Sequence, residues 1–144
     1  MSLEQRLSLV TLASADHARA KAFYKDVFGW TPFMEMDDIA FFDLGGIVLG
    51  LWTHEGLKSD SQTDGPLSAY RGGALAYNAR SEGEVDAIFA ALKAKGATVL
   101  KAPARTEWGG CSGYIADPDG HAWEIAYNPG WPIGLDGRLQ LPTS

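Results

Sequence analysis

Basic residues are scarce in this chain, with 12 lysines and arginines against 18 acidic side chains and a net charge of −6 over 144 residues. No basic stripe exists to follow a phosphate backbone, so a nucleic-acid partner is not expected. There is one cysteine, Cys111, which excludes an internal disulfide and any need for an oxidising compartment. Long apolar runs are missing too. None approaches the roughly 20 residues that span a bilayer, and the start "MSLEQRLSLVTL" lacks the basic-then-apolar pattern of a signal peptide. A cytoplasmic protein with no membrane partner is expected. Only three histidines occur, His17, His54 and His121, and no two have metal-ligand spacing.

What remains is an ordinary globular composition, 46% hydrophobic and 21% charged, long enough for one single-core domain. "RLSLVTLAS" alternates as a strand, and Asp16 can cap a helix whose apolar face is Ala20, Phe23, Tyr24 and Val27 before Gly29 stops it. Strands near 30–36, 39–44 and 47–53 follow, with Gly45 and Gly46 as a tight turn. The polar stretch 54–71 reads as a linker. A strand in "GALAYNA" then leads to a helix capped by Ser81 and Glu84, with Val85, Ile88, Phe89 and Leu92 on its apolar face. Strands near 97–101, 108–116 and 121–127 complete the pattern, and the tail from Pro129 is expected to be extended and packed partly through Trp131.

The halves repeat. Caps, helix faces and first strands match at an offset of 65, so Leu9 falls on Ala74, whereas the late hairpins match at 74, so Gly50 falls on Glu124. This gives module one at about 6–53, the linker 54–71, module two at about 72–128, and the tail 129–144. Three segments carry a resemblance: "LVTLASADHARAKAFYKDVFGW", "GGALAYNARSEGEVDAIFAALKAKGATVL" and "SGYIADPDGHAWEIAYNP". With these, residues 6 to 128 resemble the vicinal-oxygen-chelate superfamily of glyoxalases, bleomycin-resistance proteins, extradiol dioxygenases and fosfomycin-resistance thiol transferases. The resemblance implies an α+β fold. Two tandem βαβββ modules would enclose a cleft with curved mixed sheets, helices on the outer face, and pair in a homodimer.

The resemblance also implies where a metal would sit in members that bind one. Those positions are Leu9, Gly50, Ala74 and Glu124 here, and only Glu124 keeps a donor side chain. A metal-free site with no cofactor is therefore expected. His17 reads as an outer-surface residue and His54 as a rim residue. His121 is expected on the strand face opposite Glu124.

A carboxylate among apolar neighbours is costly to bury unless it is paired or bound. Strand parity groups Glu124 with Ala122, Ala126, Ser112 and Tyr114, and with Ala74, Ala76 and Asn78. In module one it groups Leu9, Thr11, Val48 and Trp52, joined by either Phe41 or Phe42. Trp108 is expected near the mouth. The ligand-contacting set is thus Leu9, Thr11, Trp52, Asn78, Trp108, Ser112, Tyr114 and Glu124, an apolar surface with few polar groups. Trp52 and Trp108 read equally as packing residues, whereas Tyr114 and Asn78 read first as hydrogen-bond partners of Glu124 and only then as ligand contacts. Cys111 is expected in the core.

The expected function is metal-free binding of a small aromatic or cationic molecule. The alternative is a lyase, isomerase or dioxygenase-type enzyme with Glu124 as general base or metal ligand and Tyr114 stabilising an oxyanion.

Overall fold

A computed structural model describes residues 3–68 and 71–142. The chain divides into two compact units, 1–68 and 69–144. Each is one βαβββ module followed by an extra segment.

In the first unit, strand β1 (Leu9–Ser14) leads to helix α1 (His17–Ala22). The Asp16 carboxylate accepts from the Arg19 amide at 3.0 Å, as the sequence predicts for an N-cap. The helix widens into a π-helical turn over Phe23–Val27. That turn gathers Phe23, Tyr24 and Phe28 into a ring cluster with Trp30 and Phe42, and Tyr24 makes edge contacts with both Phe23 and Phe28. Strands β2 (Met34–Glu35), β3 (Ile39–Asp43) and β4 (Val48–Thr53) follow. The sheet order is β1-β4-β3-β2, with β1 parallel to β4 and the other pairs antiparallel.

Parity sorts this sheet. Ala40, Phe42, Leu49 and Leu51 are buried with Tyr24 and Ala20 beneath the helix. The opposite face carries Leu9, Thr11, Phe41, Val48, Gly50 and Trp52, which share rungs of the ladder. Phe41, rather than Phe42, therefore joins the predicted set. Each large side chain withdrawn from water contributes about 1.5–3 kcal/mol before entropy is subtracted, which is why the helix-side face holds the apolar core.

The segment 54–71 is more structured than a polar linker suggests. Its first part is helix α2 (His54–Ser61), capped by the Thr53 hydroxyl accepting from the Gly56 amide at 3.0 Å. His54 Nε2 donates to the Gly65 carbonyl at 3.2 Å.

In the second unit, β5 (Leu75–Asn78), α3 (Glu82–Ala94), β6 (Thr98–Arg105), β7 (Cys111–Ala116) and β8 (Ala122–Tyr127) repeat the first arrangement in the order β5-β8-β7-β6. Again only the β5–β8 pair is parallel. Edge strand β6 carries Pro103, which has no amide to donate, and its register with β7 shifts between Lys101 and Ala104. Ser81 caps α3 by accepting from the Glu84 amide at 3.0 Å. The Glu84 carboxylate reaches back to the Arg80 amide at 2.9 Å, one residue before the partner a standard capping box uses. Val85, Phe89 and Leu92 pack with Ile115, Trp123 and Ile125 as the core, and Cys111 is buried on this side as expected. The tail closes a small loop through an Ile133–Leu139 bridge. The Arg80 guanidinium donates to the Gly134 carbonyl at 3.0 Å, and Trp131 stays 45% exposed.

The β-ladders confirm the repeat rung by rung. Thr11 pairs with Gly50 in module one, and Ala76 pairs with Glu124 in module two. These pairs are related by the same offsets, 65 and 74, that the sequence displays.

Candidate functional site

The turn "DPDG" places Glu124. Asp117, 4% exposed, accepts from the Asp119 amide at 2.9 Å and the His121 amide at 2.8 Å, and so fixes the hairpin that feeds β8. The Arg71 guanidinium clamps the same turn, donating to the Asp119 carbonyl at 2.6 Å and to His121 Nδ1 at 3.3 Å. His121 is thereby engaged in the turn.

Two residues into β8, Glu124 projects from the face away from α3. It shares rungs with Ala76 on one side and Tyr114 on the other. Ser112 stands one rung pair along, and its hydroxyl donates to Glu124 Oε2 at 2.7 Å. A bond this short to a carboxylate is charge-assisted. Ser112 itself is only 6% exposed. Burial first, then the charge of Glu124 and hydrogen bonding toward it, push the Tyr114 phenol above its ordinary value. Tyr114 is therefore a neutral hydroxyl at physiological pH. Asn78 lies on the same face opposite Ala126 but makes no side-chain hydrogen bond among the described residues. The polar support of Glu124 is Ser112, backed by Tyr114, rather than Asn78.

Trp108 is half-exposed and lies over Gly110. A side chain at Gly110 would collide with the Trp108 ring and with the Tyr127 carbonyl, so only glycine permits this seat. The Cys111 thiol is pushed up, chiefly by burial, as fits an inert core group.

In module one, Leu9 is 42% exposed and Thr11 half-buried on the face away from α1. Trp52 shares that face but is engaged in packing. Its indole N–H donates to Asp38 Oδ2 at 3.3 Å, and its ring sits under Gly56 of α2, where an added Cβ would fall 2.5 Å from Nε1. The expectation that His17 lies on the outer surface is overturned. It is only 9% exposed, because α1 is amphipathic from its first residue and turns this side chain under the helix. Sequence reasoning missed both the Trp52–Gly56 seat and the burial of His17. A glycine four residues after a tryptophan hinted at the first, and the helical spacing of His17 from Ala20 and Tyr24 at the second.

The donor set can be tested against a divalent ion. Leu9 and Gly50 supply no ligand atom, and Ala74, just before β5, supplies none either. A side chain at Gly50 would meet the Phe41 ring at 3.3 Å and the Thr11 hydroxyl at 3.4 Å. Glu124 already holds Ser112 on one oxygen. Among the described residues no group of three or more His, Cys, Asp or Glu side chains could hold a metal. These residues do not fit an ion that needs about three protein ligands.

Residues 6–125 match the model of the Glyoxalase/Bleomycin resistance protein/Dioxygenase superfamily. The metallothiol transferase FosB of Shouchella clausii (strain KSM-K16) is 31% identical over 117 residues, which cover 81% of this chain and 75% of that protein. Among solved structures, a glyoxalase-related enzyme from Fulvimarina pelagi superposes with a TM-score of 0.89 at 37% identity, covering 97% of this chain and all of the other. A lactoylglutathione lyase from Agrobacterium tumefaciens superposes with a TM-score of 0.70 at 26% identity, covering 87% and 95% of the two chains.

Proposed function

We propose, from the premise that this chain belongs to the Glyoxalase/Bleomycin resistance protein/Dioxygenase superfamily, that it binds a small molecule without a metal ion, on the sheet face of module two that bears Glu124. The carrying observation is the Ser112–Glu124 bond of 2.7 Å amid alanines. It holds a carboxylate in one orientation, with the Tyr114 hydroxyl directed at the same group, and leaves the remaining lone pairs to a ligand. A ligand meets an acceptor surface there, so a donor-bearing group, cationic or amide-like, suits it best. Ala76, Ala122 and Ala126 leave room, and Asn78 and Trp108 contribute an amide and an aromatic ring. Leu9 and Thr11 offer a further apolar face in module one. A homodimer, located in the cytoplasm, completes this reading.

A second reading is favoured by Tyr114. A neutral phenol beside a carboxylate is a general acid–base pair, so an enzyme could use Glu124 as base and Tyr114 as oxyanion donor. The two readings differ in what Glu124→Gln does. A binder keeps most of its affinity for a neutral aromatic ligand, whereas an enzyme loses turnover by at least about a hundredfold.

The first test is metal content. Protein purified without a histidine tag is offered Zn, Ni, Mn and Fe(II), and ions per chain are counted by elemental analysis. The expected ratio is near zero. A ratio near one that is lost in Glu124→Ala would overturn the metal-free reading.

A further inference from the structure

The Glu124 face carries a second charge. Ala76, Glu124, Tyr114 and Lys101 occupy one rung across the four strands of module two. Directly opposed residues of adjacent strands point to the same side of a sheet, so Lys101 shares the face of Glu124. Alternation along β6 alone would not put it there. Val99, two residues earlier, pairs with the core residue Ile115 and has the same parity as Lys101. The register of β6 shifts between Val99 and Lys101. Such a bulge re-aims the side chain that follows it.

The other cation of β6 goes the opposite way. Arg105 pairs with Cys111, and Glu82 of α3 holds its guanidinium at 3.4 Å. Lys101 is exposed, and among the described residues its ammonium has no ion pair. Of the residues that the three ladders place on the Glu124 side, Glu124 and Lys101 are the charged ones, and their signs are opposite. Tyr114 stands between them and directs its hydroxyl at Glu124.

Two strand spacings separate the Glu124 and Lys101 backbones by about 9.6 Å. Two charge-assisted contacts of about 2.8 Å each take up more than half of that span. The remainder is about 4 Å, close to the reach of one amino-acid unit from nitrogen to carboxylate oxygen. We propose that the ligand of this face is a small zwitterion of the α-amino-acid class, with its ammonium on Glu124 and its carboxylate on Lys101. Trp108, over Gly110, offers a ring to an aromatic side chain. This assignment rests on the ligand site proposed above, and the test separates the two.

Three probes sharing one phenyl ring are titrated into the full chain by calorimetry at neutral pH and low salt. They are phenylalanine, phenethylamine, which lacks the carboxylate, and hydrocinnamate, which lacks the ammonium. Phenylalanine should bind about fivefold or more tighter than either, the size an exposed ion pair allows. Added salt should shrink that margin. Lys101→Met, at an exposed position, should lower phenylalanine to the level of phenethylamine and leave phenethylamine unchanged. Glu124→Gln should weaken both amines. Phenylalanine binding no tighter than phenethylamine, with both weakened in Glu124→Gln, would overturn the zwitterion and keep the ligand site. A margin that survives in Lys101→Met would overturn the role of Lys101. Binding of none of the three probes would overturn the amino-acid class.

Discussion

A hydroxyl and a carboxylate 2.7 Å apart decide what the Glu124 face can do. Ser112→Ala should remove that bond and leave the carboxylate free to change rotamer. Bonds to charged groups contribute about 1.5–3 kcal/mol, so urea unfolding should show a loss at or below the lower end, since Glu124 keeps partial access to water. At this scale the sequence was largely readable. The period-two alternation of strands put Glu124, Ser112 and Tyr114 on one side, and Leu9, Thr11 and Trp52 on another, before any coordinates. It could not rank partners on a shared face, which is why Tyr114 and Asn78 read as the partners of Glu124 and the Ser112 hydroxyl does not. Rung position separates them, and that depends on pairing between strands distant in sequence. His17 was misplaced for a different reason. It stands three residues before Ala20 and seven before Tyr24, on the buried stripe of α1, but its polar ring reads as outward-facing.

Caps and turns govern the elements. Ser81→Ala should destabilise module two by about 1 kcal/mol, read as a lower denaturation midpoint with an unchanged m-value, since α3 carries the core residues Val85, Phe89 and Leu92. Helices α1 and α3 were legible because their apolar positions recur at helical spacing next to a capping residue. Helix α2 was not, because "HEGLKSDS" has glycine, two serines and no buried face, and it looks like a loop by every local criterion. What makes it a helix is the Thr53 cap together with a ring to rest on. The Pro103 register shift in β6 likewise left no sign in the spacing of its apolar residues.

For the molecule as a whole, pH is the variable to which the buried groups respond. Burial lowers the folded-state pKa of His17 below its ordinary 6.5. As pH falls, the unfolded chain takes up that proton first. Its contribution to folding is undiminished above pH 6.5 and is lost progressively below it. Thermal unfolding should therefore show a steeper fall in midpoint between pH 7 and 5 for the wild type than for His17→Phe. The fold was visible in the sequence because it is stated twice, in two helices and two hairpins at constant offsets. That duplication has a practical corollary. Thr11–Gly50 and Ala76–Glu124 occupy equivalent rungs, one blank and one bearing a carboxylate. The protein thus carries its own built-in reference compartment. A probe that reads both rungs in one sample compares a face with the carboxylate to one without it, under identical solvent, temperature and dose.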